Sequence, residues 1–377
     1  MLLKNLPRAD GFNCEPKHTI SVSVLPRQIA NFAVTYRCDG RCTTCNIWKS
    51  PPGDELTLDE IRGFFQENRG LFREVESIQL TGGEPFLRDD LPEIMEAIDD
   101  CVNGCTFWVP TNGLSPELIL ESTERALTKL RTGSLGVSVS IDGLEETHDR
   151  QRGIEGSHRL AQETLKKLSD LKKTRPKMML SVGMTLTPEN LKEAPIVQRD
   201  AYKRGADFSL RPLNVSDIYY KNDGFGTTYD KDTLYKTLRA VAKNALDQHG
   251  MLRSLTTLRY LGGVQEYIET EGRRTTPCHA CTESFFIDPY GDVYPCIVMN
   301  SRLGNIREKP FSEIWRSEKA EETRMRISEL ECPRCWVECE AYREIGRTLP
   351  EKLGMFLTTV LDKRNLGLKP YPSLLMM

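Results

Sequence analysis

The spacing of the cysteines constrains this chain more than any other feature of its sequence. Twelve cysteines occur in 377 residues, and most of them fall into two groups that lie far apart in the chain. No secretory signal precedes them, so we expect a cytoplasmic, reducing location, where clustered thiols bind metal more often than they form disulfides. The first group is Cys38, Cys42 and Cys45, and the second is Cys278, Cys281, Cys296, Cys332, Cys335 and Cys339.

The first group lies on one short loop directly after an apolar strand segment, residues 29–36. Three thiolates on one loop can converge on a single cluster, and a cubane iron–sulfur cluster has four irons, so one iron stays open to an exogenous ligand. There are two alternatives: the group is a zinc site that lacks its fourth ligand, or the three cysteines have no shared role. For Cys14, Cys101 and Cys105 we expect ordinary free thiols.

Strand and helix segments alternate along about half of the chain. This alternation predicts parallel βα units, arranged as a doubly wound sheet or as a barrel, with chemistry at the C-terminal strand ends. Spacing alone does not choose between the two. Further strands are predicted over residues 75–81, 106–110, 135–141, 178–185 and 207–212, and helices over 57–68, 89–100, 116–131, 157–173 and 189–204. A loop is predicted over 214–230 and helices over 231–247 and 255–270.

Polar and glycine-rich segments stand at the ends of two of these strands. Gly82, Gly83, Glu84 and Pro85 close the second strand, where glycines permit close backbone approach and a carboxylate can offset an ammonium group. The end of the fourth strand carries Ser140 and Asp142, and Arg152 follows soon after. Turn and capping roles are the alternative interpretation for all of these residues.

The C-x3-C-x2-C loop, followed by these segments in this order, resembles the radical S-adenosylmethionine (SAM) superfamily. The resemblance implies a partial (β/α)6 TIM-like barrel with a [4Fe-4S] cluster on Cys38, Cys42 and Cys45. In that family SAM chelates the open iron and is cleaved reductively to a 5′-deoxyadenosyl radical, which abstracts a substrate hydrogen atom. By the same resemblance the SAM contacts are Gly82, Gly83, Glu84 and Pro85 for the amino group, Ser140 and Asp142 for the ribose, and Arg152 for the carboxylate. No catalytic side chain is assigned.

One position departs from the family pattern. The residue before the third cysteine is usually aromatic and packs by the adenine, whereas here it is Thr44. We therefore expect adenine or substrate contacts from Trp48, Phe86, Leu186 or Arg211.

The second cysteine group resembles the SPASM and twitch extensions of radical SAM enzymes, which hold auxiliary [4Fe-4S] clusters. The stretch from Cys281 through Gly291 to Cys296 fits that pattern, but a full SPASM domain has seven cysteines and this group has six. One fully ligated auxiliary cluster is the preferred interpretation, and two incompletely ligated clusters or a zinc ribbon are the alternatives. All six cysteines are taken as candidate ligands.

These segments predict an α/β chain with a small C-terminal cysteine-rich domain. The predicted divisions are an N-terminal extension (1–28), the partial barrel (29–235), a helical linker (236–275), the SPASM/twitch-like domain (276–345) and a C-terminal tail helix (346–377). The tail carries an amphipathic stretch, residues 349–361, which we expect to cover a barrel end; contact with a membrane is the alternative.

Composition excludes several classes of function. A formal net charge of −3 gives no basic footprint for nucleic acid, and no stretch of about 20 apolar residues exists.

The resemblance implies a radical SAM oxidoreductase or transferase-type enzyme with a flavodoxin or ferredoxin electron donor. We expect oxidation, cross-linking or epimerisation of a peptide or a small sugar or lipid-linked molecule. A non-catalytic iron–sulfur electron carrier or redox sensor is the alternative from another class, and a zinc-stapled scaffold protein is a third.

Overall fold

One sheet of nine strands runs through the part of the chain that the computed structural model describes, residues 28–226 and 228–348. The strands lie in the order β6-β5-β4-β3-β2-β1-β7-β8-β9. Strands β1 to β7 pair in parallel, and β8 and β9 are antiparallel additions. Their bounds are β1 Gln28–Thr35, β2 Ser77–Gly82, β3 Thr106–Thr111, β4 Ser134–Ser140, β5 Met178–Leu186, β6 Asp207–Pro212, β7 Ser284–Ile287, β8 Asp292–Tyr294 and β9 Gly304–Asn305.

Helices connect the parallel strands and cover the outer face of the sheet. The helices are α1 Leu58–Glu67, α2 Leu91–Asp99, α3 Pro116–Lys129, α4 Glu145–Arg152, α5 Ser157–Lys172, α6 Ala194–Lys203, α7 Lys231–Glu269, α8 Phe311–Trp315 and α9 Glu318–Ser328. Helix α1 begins with a capping box between Thr57 and Glu60. Helix α7 is broken at Gly250, whose φ of 72° lies in the left-handed region that favours glycine.

The predicted partial (β/α)6 barrel is confirmed. Six parallel strands follow one another in chain order, and in the described residues the sheet ends at β6 instead of closing on itself. The strand segments expected from the sequence differ from the observed bounds by at most two residues. Helix α4 is absent from the sequence prediction because its buried side chains, Thr147, His148 and Gln151, are polar and leave no apolar period.

The two faces of the barrel strands have opposite character. The outward side chains are apolar and fully buried under the helices, as with Phe107, Val137 and Leu180. Most inward side chains are small or polar, with Trp108 as a large exception, whereas barrel interiors are usually filled by bulky branched residues. The interior positions that are occupied by hydroxyl or amide groups are Asn31, Ser77, Gln79, Ser138, Ser181 and Ser209. The interior of this barrel is therefore hollow.

The C-terminal cysteine-rich part extends the same sheet. Strand β7 pairs in parallel with β1, in a register that joins Gln28 to Ser284 and Phe32 to Ile287. Aromatic rings from both parts pack beneath this junction; the ring centroids of Phe72 and Phe311 lie 5.4 Å apart. The proposed division between barrel and linker at 235/236 falls inside α7, and the division into domains stays a prediction.

Within the described ranges, no helix combines the length and the apolar character that crossing a bilayer requires. The expectations for the N-terminal extension, for Cys14 and for the amphipathic stretch at 349–361 concern residues outside the described part.

Two neighbouring glycines in α7 make a test of how the C-terminal part packs on the barrel. A Cβ on Gly263 would lie 1.9 Å from Cζ2 of Trp336, whereas a Cβ on Gly262 would meet no atom within 4 Å. We expect Gly263→Ala to lower the free energy of unfolding by about 1–3 kcal/mol through overpacking. The matched Gly262→Ala should raise it by up to about 1 kcal/mol, because alanine is the better helix former.

Urea unfolding of the anaerobically reconstituted protein, followed by circular dichroism, measures both variants. Equal stability of the two variants would contradict the packing of Trp336 against this face of α7.

Candidate active site

The first cysteine loop leaves the C-terminal end of β1 and is held by the end of α4. Backbone N–H groups of Arg41 and Thr43 donate to the carbonyls of Arg152 and Gln151 at 3.1 and 2.8 Å. The Arg41 guanidinium folds back onto the loop carbonyls, with its shortest hydrogen bond to Gly40 at 2.7 Å. The loop therefore has a defined shape before any ligand binds.

The three thiols of this loop line one cavity of about 170 Å³. Burial raises the pKa of Cys38 and of Cys45 to about 12. A Cβ on Gly40 would lie 3.5 Å from Sγ of Cys38 and 3.6 Å from Sγ of Cys42, so both sulfurs lie beside this glycine. Buried thiols without a disulfide partner fit a cationic iron–sulfur group, which stabilises their thiolate form.

In the described residues, no group of three or more His, Cys, Asp or Glu side chains is arranged to hold a single metal ion. The three thiols of the β1 loop are among the residues that line the cavity.

The glycines at the end of β2 pack against β1. A Cβ on Gly82 would lie 2.0 Å from the Thr35 carbonyl oxygen, and one on Gly83 would lie 2.1 Å from that of Arg37. Gly83 N–H donates to Thr35 at 2.8 Å, and the φ of Gly82 is 126°. The sequence prediction attributed these glycines to close approach of a ligand; the structure gives them a second reason, close approach of two loops.

Glu84 is a buried carboxylate at the edge of this cavity, with 3% of its surface exposed. It accepts hydrogen bonds from the backbone N–H of Asn112 at 2.7 Å and of Phe86 at 3.3 Å. Burial raises its pKa to about 7. No basic side chain among the described residues forms an ion pair with it, so the site fits an ammonium group. Pro85 is buried and starts the short turn that follows.

Strand β4 and helix α4 place the remaining predicted contacts. Ser140 and Arg152 line the cavity, but Asp142 does not. The Asp142 carboxylate accepts from Arg152 Nη2 at 2.7 Å and from the backbone N–H of Thr185 at 2.8 Å. Asp142 therefore orients Arg152, whose buried Nε has no hydrogen-bond partner in the described part of the chain. Burial lowers the pKa of His148 to about 4, and its Nδ1 accepts from Asp142 N–H at 3.0 Å.

Of the residues suggested for adenine or substrate contacts, Trp48 and Arg211 line the cavity, whereas Phe86 and Leu186 do not. The structure adds Tyr219 and Tyr220, which lie in the predicted loop 214–230. The Tyr219 hydroxyl is 2.6 Å from Oγ1 of Thr81. Only one feature of the sequence indicated this contact, the Tyr- and Asn-rich composition of the loop.

That loop also contacts the first cysteine loop. Asn46 N–H donates to the Tyr220 carbonyl at 2.8 Å, and Asn222 Nδ2 donates to the carbonyl of Thr44 at 3.0 Å. The loop thus covers one side of the cavity and ties its two walls together.

In the second cysteine group, the thiols of Cys278, Cys296 and Cys335 lie near one another. Burial raises the pKa of Cys296 well above its ordinary value, and the neighbouring Cys335 and Cys278 raise it further. In the same way, Cys332 raises the pKa of Cys335, and Cys335 raises the pKa of Cys339. Pairwise charge effects therefore link five of the six predicted ligands.

Cys281 is the exception within the second group. Its sulfur lies 3.8 Å from the carbonyl oxygen of Ala320 in α9, and the charges that act on it are those of Arg324 and Glu321. Its φ of 63° is in the left-handed region. None of the other five thiols is among the groups whose charges act on Cys281.

The two cysteine groups meet at the first cavity, because Cys339 lines it together with the three thiols of the β1 loop. Asn31 Nδ2 lies 3.7 Å from Sγ of Cys339 and fixes this thiol at the inner face of β1. A second cavity of about 730 Å³ occupies the hollow barrel interior. Both cavities share the lining residues Gln79, Pro110, Arg211, Glu338 and Cys339.

A charged pair stands where the two cavities join. Nη1 of Arg211, at the end of β6, lies 3.3 Å from Oε2 of Glu338. The buried Nε of Arg211 has no partner in the described residues. This junction can therefore bind polar groups of a molecule that extends from one cavity into the other.

Comparison with known proteins gives two family matches. A family model described as the radical SAM superfamily matches residues 32–198, and a SPASM model, described as an iron–sulfur cluster-binding domain, matches residues 278–340. The chain is 30% identical over 313 residues to an AdoMet-dependent heme synthase of Methanosarcina barkeri, with 78% of this chain and 84% of that protein covered.

A second relative is the antilisterial bacteriocin subtilosin biosynthesis protein AlbA of Bacillus subtilis, which is 26% identical over 81% of this chain and 64% of its own length. Among solved structures, Streptococcus suis SuiB bound to S-adenosylmethionine superposes with a TM-score of 0.59 at 16% identity, covering 80% of this chain and 68% of that one. The structural likeness supports the fold. The chain belongs to the radical SAM superfamily, whose barrel uses a [4Fe-4S] cluster and SAM, and it carries a SPASM domain for auxiliary iron–sulfur clusters.

Proposed function

We propose that this chain is a radical SAM enzyme that abstracts a hydrogen atom from a substrate held in the barrel interior. The observation that carries the proposal is the cavity wall shared by the β1 cysteine loop and Cys339. When bound, the SAM cluster supplies the electron that releases a 5′-deoxyadenosyl radical from SAM, and an auxiliary cluster supplies a redox centre.

In this proposal Cys38, Cys42 and Cys45 ligate the SAM cluster. Glu84 pairs with the SAM ammonium, and the Gly82–Gly83 backbone places Glu84 at the cavity edge. The SAM ribose contacts Ser140, and the carboxylate contacts Arg152, which Asp142 orients. Pro85 shapes the turn after Glu84. The geometry that supports these roles is the unpaired burial of Glu84 and the unpartnered Nε of Arg152.

We propose one auxiliary cluster. Its ligands come from the five grouped thiols, Cys278, Cys296, Cys332, Cys335 and Cys339, and Cys281 is a structural residue. Five thiols supply one cubane with four ligands but are too few for two. The separate direction of the Cys281 thiol supports this count.

For the substrate we propose a peptide. The barrel interior offers hydroxyl and amide side chains such as Gln79, Ser138 and Ser181, which can pair with main-chain N–H and C=O groups. Arg211 can bind a carboxylate, and Glu338 beside it can accept a proton from a substrate N–H or O–H group. Relatives named for peptide chemistry, among them a PqqA peptide cyclase, support this class.

Within this function we propose oxidation, cross-linking or epimerisation as the outcome, with a flavodoxin or ferredoxin as electron donor. The loop that carries Tyr219 and Tyr220 covers the cavity and limits the entry of water. A radical reaction requires this exclusion, because it prevents side reactions of the intermediate.

A tetrapyrrole is the second candidate substrate. The observation that favours it is the 30% identity to a heme synthase, together with relatives named Fe-coproporphyrin III synthase and pre-heme d1 synthase. The hydroxyl and amide groups of the barrel interior favour the peptide, because they can pair with its main-chain groups, whereas Trp108, Pro110 and Tyr342 are the walls that a macrocycle would contact.

The reconstituted protein, given SAM and dithionite without substrate, is expected to form 5′-deoxyadenosine, because both the cluster loop and the SAM pocket lie within this chain. Chromatography of the nucleosides measures the product. The control is the triple variant Cys38→Ala, Cys42→Ala and Cys45→Ala, which should make none while keeping about four irons in the C-terminal group. Intact SAM in the presence of both intact clusters would favour an electron carrier or sensor instead.

Glu84→Gln is expected to weaken SAM binding by about 1.5–3 kcal/mol, or about ten- to 150-fold, because the charge on the hydrogen-bond acceptor is lost. Iron content should not change. Calorimetry under anaerobic conditions measures the affinity, and the exposed Glu67 provides the matched control Glu67→Gln. Equal SAM affinity in the Glu84 variant and the control removes Glu84 from the site.

The two substrate classes separate in binding and labelling experiments. We expect a deuterated peptide substrate to transfer deuterium into 5′-deoxyadenosine, as measured by mass spectrometry. We expect no binding of hemin, so that the spectrum of the mixture equals the sum of the separate spectra of protein and hemin. A stoichiometric hemin complex with a shifted Soret band, which Arg211→Gln weakens, would instead establish the tetrapyrrole class.

A further inference from the structure

Arg274 is a buried cation just ahead of the second cysteine group, outside the residues that the SPASM model matches. Only 3% of its surface is exposed. Its backbone N–H donates to the carbonyl of Arg334 at 2.7 Å, and its Nη2 donates to the carbonyls of Pro277 at 2.6 Å and Glu340 at 3.4 Å. One residue therefore contacts three backbone carbonyls, one in its own segment and two in the stretch from 334 to 340.

Each of the three residues whose carbonyls are contacted has a cysteine as its neighbour in sequence. The adjoining pairs are Pro277 and Cys278, Arg334 and Cys335, and Cys339 and Glu340. Arg274 thus connects the stretches that must come together for a cluster to be ligated.

Arg274 also keeps one donor free. Its Nε donates to Thr276 at 3.1 Å, and its guanidinium lies over the Trp336 ring, 5.3 Å from the centroid. This distance is within the reach of a cation–π contact, about 6 Å. Its Nη1 is buried and has no hydrogen-bond partner among the described residues. A buried, unsatisfied donor is costly, so a partner is expected when the site is filled.

A buried carboxylate lies beside the same thiols. Glu340 is 1% exposed; its Oε1 accepts from Ser284 Oγ at 2.5 Å, and its Oε2 lies 4.0 Å from Sγ of Cys278. Burial raises the pKa of the Cys335 thiol to about 11. The Arg274 cation lowers this pKa, and the Glu340 carboxylate raises it. Two buried side chains of opposite charge therefore act on one group of thiols.

We propose that Arg274 tunes the auxiliary cluster: its Nη1 donates a hydrogen bond to a sulfur of that cluster, and its charge raises the reduction potential, while Glu340 lowers it. The proposal rests on the auxiliary cluster site described under the proposed function. Reduction adds a negative charge, so a nearby cation and an N–H donor to sulfur stabilise the reduced form and an adjacent carboxylate destabilises it. A higher potential makes a better electron acceptor, which is the property that a substrate oxidation needs.

The test is a redox titration of the reconstituted full-length protein, followed by electron paramagnetic resonance. The auxiliary signal is the one that SAM leaves unchanged. Arg274→Gln should lower the reduction potential of this cluster by at least about 59 mV, which is a tenfold change in the one-electron equilibrium constant. Glu340→Gln should raise the potential. The matched control is Arg273→Gln, which removes the same charge at the exposed neighbouring residue and should leave the potential at the wild-type value.

Arg274→Lys keeps the charge but not the planar set of donors, so its potential should fall between those of the wild type and the Gln variant. An unchanged potential in an iron-loaded Arg274→Gln protein overturns the proposal, and so does an equal shift in Arg273→Gln. Loss of the auxiliary iron from both Arg274 variants reduces the residue to a structural role and also overturns it. Zinc in place of iron in the wild-type C-terminal group is a different failure, that of the proposed cluster site itself.

Discussion

The pairing of β7 with β1 is the interaction on which the rest of this structure depends. Strand β1 delivers the first cysteine loop at its C-terminal end, and a parallel neighbour must end at the same edge of the sheet. The turn and strands that follow β7 therefore begin beside the first cysteine loop. Through this junction the second cysteine group reaches the wall of the first cavity at Cys339.

The barrel interior is hollow because the two faces of each strand carry different kinds of side chain. The outward side chains supply the apolar burial that stabilises the sheet, as with Val137 and Leu180. The inward positions contribute little to that burial, since serines such as Ser138 and Ser181 replace the bulky side chains that fill other barrels. Stability is thus obtained outside the barrel, and the inside is left for a ligand.

Buried charges without a full set of partners mark both cofactor regions. Glu84 has no basic partner among the described residues, and Arg152 and Arg274 each keep an unpartnered nitrogen. Such groups destabilise the empty protein, because burial removes water without replacing all of its hydrogen bonds. Binding of a ligand of complementary charge removes that penalty, so the folded chain is pre-arranged for its cofactors.

The sequence by itself determined the strand and helix order, the family and the cysteine loop, because hydrophobic periodicity and short motif spacings are local properties. It did not determine that β7 would continue the sheet, that Tyr219 would cover the cavity or that Cys281 would turn away from its neighbours. Helix α4 was missed for a local reason, since its buried face is polar and leaves no apolar period. The pairing of β7 and the positions of Tyr219 and Cys281 depend on contacts between residues far apart in the chain, and only the tertiary structure decided them.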